Sequence, residues 1–549
     1  MIKLQAVFLA IILFASILRL WKLDQFPAGF NADEASIGYN AYSLMHSGKD
    51  EYGSSWPLAF KSFGDYKPGL YFYFVMPFVA VLGLNEWAIR LPSAFFGIGT
   101  VILIYFLANE IFKDKKAGLL AGLLLAISPW HLQFSRGGWE TNVATFFMTL
   151  GILLFLKGLK KHQLLWGSGL SGLISMYVYQ SPRLIVPVLV LVLIFLYRQD
   201  CSLIIRTIKL KKIAVSILIL ICLSVPLLMQ FTSGGGNARF SGLSFLSDTG
   251  PASRVNELRG QHNNPGGIVV AQIIHNKLTA YGPSFLGHYL DHFRGDFLFI
   301  NGDPIIRNRV PETGELYIIE AIFLISGLII LTRGKFEHTK LLLAWILVAP
   351  LASSITFQTP HALRALSMVI PLTLICSLGL SGLIDWLGKA GKLWKGLATG
   401  AVVIILTFEF IHYLESYYVH YPKRYPLAWE YGFKEMVQKL GQYEAHYNNV
   451  VITDRYDQPY ILVLFYKKYD PAKYQPQAVL SPRDKFNFGT IRGFDKYQFH
   501  SVKPEEFKSN KTTLFVATED EVPKTMKIID KVNFPNGQPA FLFVEGGQI

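Results

Sequence analysis

The sequence predicts a polytopic α-helical membrane protein with a small α/β domain towards its C-terminal end. Three observations carry that prediction. Of the 549 residues, 51% are hydrophobic, 14% aromatic and only 16% charged, whereas an average soluble protein is about one quarter charged. The apolar residues come in blocks of membrane-spanning length, about 20 residues each. After about residue 412 the composition changes, charge returns and short strand-like runs begin. A soluble enzyme, a disordered chain and a secreted disulfide scaffold are excluded on these grounds. The three cysteines, Cys201, Cys222 and Cys376, lie in or beside apolar blocks and have no metal-ligand spacing.

Taken in order, crossings are expected near 4–21, 91–110, 117–134, 142–158, 164–180, 183–198, 213–230, 317–332, 340–356, 365–386 and 394–412. The first lacks a small-x-small cleavage site and ends in Arg19-Leu-Trp21, so it reads as an uncleaved anchor. The formal charge of +14 gathers in short loops: Lys113, Lys115 and Lys116; Lys157, Lys160 and Lys161; Arg206, Lys209, Lys211 and Lys212; Arg333, Lys335 and Lys340; Lys389, Lys392 and Lys395. Basic short loops stay cytoplasmic. The charge therefore sets orientation and leaves no basic face for nucleic acid. The N-terminus is expected inside. Segments 22–68, 135–141, 231–316, 357–364 and the tail after 413 are expected on the extracytoplasmic face.

This scheme leaves one apolar stretch, 69–84, between two outer segments, so it is expected to lie in the outer leaflet without crossing. About eleven crossings then form a module over 1–412, followed by an extracytoplasmic α/β domain over 413–549. In that tail, Val450–Thr453, Thr513–Ala517 and Ala540–Val544 read as strands and Pro459–Tyr466 as a helix. The long loop 231–316 opens with Gly234-Gly-Gly236 and carries an aromatic, His-rich stretch from Tyr281 to His292. That stretch fits an interfacial lid or plain scaffold packing equally well.

Ionisable groups cost roughly 2.5–3.5 kcal/mol each in the apolar core, so their placement is informative. Arg19, Glu320, Glu409, His412, His361 and Arg364 sit at the outer ends of segments, and few charges lie mid-helix. A transporter or flippase would place them nearer the midplane. Chemistry on a membrane-tethered substrate fits better. The first outer loop holds Asp33-Glu34, which reads either as a helix start with favourable carboxylates or as a general base near the membrane surface. Lys67, Arg90, Arg136 and the His361/Arg364 pair each fit a snorkelling side chain or a ligand for a lipid phosphate.

Several stretches together resemble the GT-C polyprenyl-phosphate-sugar glycosyltransferases, nearest the protein O-mannosyltransferase and aminoarabinose-transferase group. They are Asp33-Glu34, Gly48-Lys49-Asp50-Glu51-Tyr52-Gly53, Asp65-Tyr66-Lys67-Pro68, Asn85-Glu-Trp-Ala-Ile-Arg90-Leu-Pro, Ser128-Pro-Trp-His131 with Ser135-Arg136, Phe297 to Asp303, Gly314 to Tyr317, and Pro360-His361-Ala-Leu-Arg364. The resemblance spans most of residues 1–420. It implies inverting transfer of a single sugar from a polyprenyl-phosphate donor at the outer face. Asp33 would be the base with Glu34 beside it. Lys67, Arg136, Arg364, His361 and Arg90 would hold the donor phosphate, with Asp65, Tyr66, Glu140 and Tyr39 as acceptor or sugar contacts. The acceptor could be a protein, a lipid or a cell-envelope glycan. Transfer of a preassembled glycan is the alternative. The acidic motif is Asp-Glu and not Asp-x-Asp, so no cofactor is expected to be required and no metal ligands are assigned.

Overall fold

A computed structural model describes residues 2–232, 249–262, 265–334, 336–389, 391–482, 489–509 and 512–547. The Gly234-Gly-Gly236 stretch and Lys335 lie outside the described residues. The chain divides into two compact units. The first comprises Met1–Ala15, Gly99–His131 and Ala144–Phe410, and the second Ser16–Ile98, Leu132–Val143 and Ile411–Ile549.

The first elements are α1 (Ile2–Leu20), α2 (Ala32–Ser47), β1 (Ala59–Ser62), β2 (Asp65–Pro68), α3 (Leu70–Leu82), α4 (Glu86–Phe112), α5 (Lys115–Ile127), α6 (Pro129–Arg136) and α7 (Glu140–Gly158). Among the described residues six helices are long and apolar enough to cross a membrane, or eight if each of two bent pairs is one span. The chain is thus a multi-pass membrane protein, but the expected count of eleven is not reached on this criterion. The reasons are local. The expected segments at 164–180 and 340–356 form the shorter helices Leu164–Val178 and Thr339–Ser354. The segment at 317–332 gives Glu320–Arg333, 14 residues long, which rises roughly 21 Å. The segment at 117–134 is broken into α5 and α6, bent by 57°. Pro129 lacks an N–H and drives the preceding Ser128 out of helical conformation, to ψ 124°. Helix α3 has 13 residues, roughly 20 Å of rise. That is too short for a crossing of about 30 Å.

In the first unit the helix Glu320–Arg333 packs on Val369–Lys389 through two glycines. A Cβ on Gly379 would lie 1.9 Å from the carbonyl oxygen of Phe323, and one on Gly327 2.0 Å from that of Ile375. Only glycine permits this backbone approach, which is how helices pack tightly in lipid.

In the second unit, the tail folds into a six-stranded sheet. Its strands are β3 (Asn449–Ile452), β4 (Gly493–Phe494), β5 (Tyr497–Phe499), β6 (Thr513–Ala517), β7 (Ile528–Asn533) and β8 (Pro539–Glu545), in the order β4-β5-β3-β6-β8-β7. Strand β3 runs parallel to both β5 and β6, while β8 is antiparallel to β6 and β7. Residues of β8 alternate between faces. Leu542 and Val544 join a core with Val451, Phe507 and Phe515. Phe541 and Phe543 instead meet Phe433 and Tyr443 of the helix Phe433–Tyr443. That helix buries Phe433, Met436, Val437 and Leu440, the i, i+3, i+4, i+7 stripe of an amphipathic helix.

Candidate active site

The site is built in the second unit at the start of α2. Asn31 caps this helix: its Oδ1 accepts the Glu34 N–H at 2.9 Å, and the Glu34 carboxylate accepts the Asn31 N–H at 3.4 Å. This capping box turns the two neighbouring acids in different directions. Glu34 points inward, and Asp33 stays part-exposed.

Glu34 is 1% exposed. Arg90 binds it with two donors, Nε to Oε1 at 2.9 Å and Nη2 to Oε2 at 3.0 Å. The Gly138 N–H donates to Oε1 at 2.7 Å. The remaining Arg90 donors go to the carbonyls of Leu23, Pro27 and Gly29, and its guanidinium lies over the rings of Phe30 and Trp429. Glu34, expected beside the base, is thus buried against Arg90, and Arg90, expected at the donor phosphate, turns its donors to Glu34 and to backbone carbonyls.

Arg136, also expected at the donor phosphate, is likewise turned inward. It is 2% exposed and donates to the Tyr417 hydroxyl and to the carbonyls of Leu18, Trp21 and Phe26, with Tyr417 and Tyr418 against its guanidinium. It ties the end of α1 to the segment that follows it. Tyr39, expected as a sugar or acceptor contact, is fully buried, and its hydroxyl donates to the Tyr469 carbonyl at 3.1 Å.

Asp33 and Lys67 form the accessible counterpart. Lys67 Nζ pairs with Asp33 Oδ1, and the side chains are 13% and 34% exposed respectively. Lys67 lies on β2 opposite Phe60 in the β1–β2 hairpin. Strand alternation puts Asp65 on the same face of β2 as Lys67, and Tyr66 on the other. Asp65 accepts the Tyr66 N–H at 2.7 Å, and Tyr66 is exposed. Glu140 is buried in the first turn of α7. A cavity of about 880 Å³ in the same unit is lined by, among others, Phe26, Phe30, Tyr418, Glu430, Tyr431 and Tyr466. Glu86, also in its wall, pairs with Lys434 at 3.0 Å and accepts the Tyr466 hydroxyl at 3.1 Å.

His361 and Arg364 belong to the first unit. There Asp303 Oδ2 accepts the Ala362 N–H at 2.6 Å and the Asn308 amide at 2.9 Å, and lies 3.5 Å from His361 Nδ1. Burial raises the Asp303 carboxyl to about 6. The His361 N–H donates to His292 Nε2 at 3.2 Å, and burial lowers His292 to about 4. Arg364 donates to Thr356 Oγ1 at 2.6 Å. Among the described residues no group of three or more His, Cys, Asp or Glu side chains has metal-binding geometry.

Sequence reading missed Glu51 as a buried carboxyl and Tyr417 as a partner of Arg136. The first lay within the Gly48–Gly53 run; the second had no local signal, since 281 residues separate the two side chains.

The model of a family described as dolichyl-phosphate-mannose-protein mannosyltransferase matches residues 66–229. The curated "Putative mannosyltransferase YkcB" of Bacillus subtilis is 26% identical over 167 residues, 30% of this chain and 22% of that protein. A second from the same organism, "Putative mannosyltransferase YycA", is 27% identical over 100 residues, 18% of this chain and 14% of that one. The matched stretches thus span about a fifth or less of these relatives. Among solved structures, ArnT from Cupriavidus metallidurans bound to undecaprenyl phosphate superposes with a TM-score of 0.54 at 11% identity, covering 99% of this chain and 97% of that one. Its apo state gives the same score at 10% identity. The chain has this fold along its whole length. The resemblance drawn from the sequence motifs is borne out by the family match and the fold together.

Proposed function

We propose that this protein is an inverting membrane glycosyltransferase that moves one sugar from a polyprenyl-phosphate donor to an acceptor on the extracytoplasmic face. The observation that carries this reading is the division of labour between two neighbouring acids. Glu34 is locked by Arg90, while Asp33 is part-exposed and pairs with Lys67 of the β1–β2 hairpin. The binding of undecaprenyl phosphate by ArnT, which has the same fold, supports a lipid phosphate as the leaving group.

In this mechanism the donor phosphate takes Lys67 away from Asp33. A charge-assisted contact to phosphate replaces the one to carboxylate. Asp33 is thereby released to take the proton from the acceptor hydroxyl or amine as that nucleophile attacks the anomeric carbon. The bond from the anomeric carbon to the phosphate oxygen breaks on the opposite side, so configuration inverts, and Lys67 stabilises the charge that develops on the phosphate. Asp65, on the same face of β2 as Lys67, would contact the sugar or acceptor. Lys67 supplies the positive charge, so no metal is required.

The test is to incubate the purified protein with a panel of undecaprenyl-phosphate sugars, hexoses and pentoses, and envelope extract as acceptor. The expected result is release of undecaprenyl phosphate with one donor and a product heavier by one sugar residue. Release with no donor in the panel would count against the reading. A product heavier by a preassembled glycan would replace single-sugar transfer by ligation.

A further inference from the structure

Glu51 is fully buried, and no cation among the described residues pairs with it. Its carboxylate is met by hydroxyl and amide donors. Asn40 Nδ2 donates to Oε1 at 2.9 Å, Ser36 Oγ reaches Oε1 at 3.5 Å and the Tyr460 hydroxyl donates to Oε2 at 3.3 Å. The Glu51 N–H in turn donates to Asn40 Oδ1 at 2.8 Å.

The partners are ordered along one helix face. Asp33, Ser36 and Asn40 are at i, i+3 and i+7 of α2, and positions so spaced lie above one another. Each meets the adjacent loop or hairpin, Ser36 both of them. Asp33 meets Lys67 of β2. Ser36 Oγ lies 3.3 Å from Ser62 Oγ at the end of β1, and Asn40 meets Glu51. Asn40 Nδ2 also donates to the Ser36 carbonyl at 2.8 Å, which fixes the amide in place. The hairpin register joins Ser62 to Asp65 and Phe60 to Lys67. The contact at Ser36 and Ser62 therefore determines where Lys67 stands against α2.

We propose that Glu51 is a positioning residue for the Asp33–Lys67 pair, holding Ser36 and Asn40 on the face of α2 that meets the β1–β2 hairpin. The proposal rests on the catalytic reading above only for what the pair does. The three donors favour the ionised carboxyl, but burial, which opposes it, is the larger effect. An ionised one there has no counter-charge, and burying a charge without a partner is costly. The groups around it do not supply one. From its own loop come Asp50 and Tyr52, from α2 Tyr39, from the helix Pro459–Lys467 Tyr460 and from the turn after it Tyr474. Lys61 of the hairpin acts on Asp50 and lies over the Tyr52 ring at 5.0 Å. Burial moves the Glu51 carboxyl up to about 8.

The sign follows from linkage. A carboxyl raised from an unfolded value near about 4.3 contributes full stability below that pH. It loses this contribution as pH rises through about 8. The test compares wild type, Glu51→Gln and Glu51→Leu in detergent, reading thermal unfolding from pH 5 to 9 and donor-dependent transfer over the same range. In wild type, Tm should fall across this range, and transfer should drop roughly tenfold per pH unit above the carboxyl's transition. Glu51→Gln keeps an amide in place of the acid and cannot ionise. It should flatten the Tm slope and move the alkaline limb of the rate upward by about one pH unit or more. Glu51→Leu should lower kcat at every pH. Tm slopes and rate limbs that coincide in wild type and Glu51→Gln would overturn the proposal. Unfolding needs no substrate: a flattened Tm slope with no transfer from any donor would uphold the Glu51 assignment while removing the transferase reading.

Discussion

Two ion pairs start from adjacent residues of one helix and have opposite character. Glu34 and Arg90 are both essentially inaccessible, joined by two hydrogen bonds and surrounded by a further backbone donor and three carbonyls. Asp33 and Lys67 meet at an edge, where Lys67 is reached from a two-stranded hairpin and Asp33 is about one third exposed. A buried pair with every valence satisfied cannot exchange partners without leaving a charge uncompensated, so it fixes structure. In a part-exposed pair the lysine can pass to another anion, because water reaches the carboxylate it leaves. The capping box is what separates the two acids. It uses the third helical residue as a cap and leaves the second facing out.

The contrast can be broken from the buried side first. Arg90→Ala leaves Glu34 buried without its partner and should cost about 3–5 kcal/mol. The expected outcome is a large fall in Tm and in the yield of monodisperse protein in detergent. An unchanged Tm would show that Glu34 is not held as a buried charge. Lys67→Ala should lower Tm less than Arg90→Ala does, since the Asp33 carboxylate it leaves is one third exposed and stays solvated. It should raise the KM for the polyprenyl-phosphate sugar about 10–100-fold, the loss of one charged hydrogen bond; an unchanged KM would remove Lys67 from the phosphate site. The smallest effect is expected from chelation. EDTA should leave the transfer rate unchanged, and a loss restored by a divalent cation would assign Lys67's electrostatic role to a metal.

The same contrast explains what could be read in advance. Long apolar blocks were legible because lipid demands length: α1, α4, α7 and the helices Leu210–Thr232, Val369–Lys389 and Lys392–Glu415 all fall on expected crossings. The break between α5 and α6 was also signalled, by Pro129, but hydropathy averaged over a window conceals a single bend. In the tail, β6 matches its expected span residue for residue because all five positions are buried. Strand β7 escaped notice because most of its residues face outward, and β4 and β5 are too short to show alternation. The helix Phe433–Tyr443 was passed over although its apolar spacing is regular.

At the site, sequence supplied residue types but not partners. Asp33, Lys67, Arg90 and Arg136 all looked like charges at the membrane edge. What distinguishes them is long-range. Arg90 finds Glu34 56 residues away, Arg136 finds Tyr417 281 residues away, and Lys67 finds Asp33 34 residues away through the register of a hairpin. Snorkelling, considered for each cation, fits neither Arg90 nor Arg136. Both turn inward to backbone carbonyls.

The most direct test is Asp33→Asn, measured for two things on the same purified sample: binding of the polyprenyl-phosphate sugar that wild type uses, and transfer of that sugar. The variant keeps the size and polarity of the side chain and leaves the Glu34–Arg90 pair untouched. The account predicts donor affinity within about threefold of wild type and transfer reduced by about 10²–10⁴-fold, the usual contribution of a general base. Transfer at the wild-type rate, with donor bound, would contradict it.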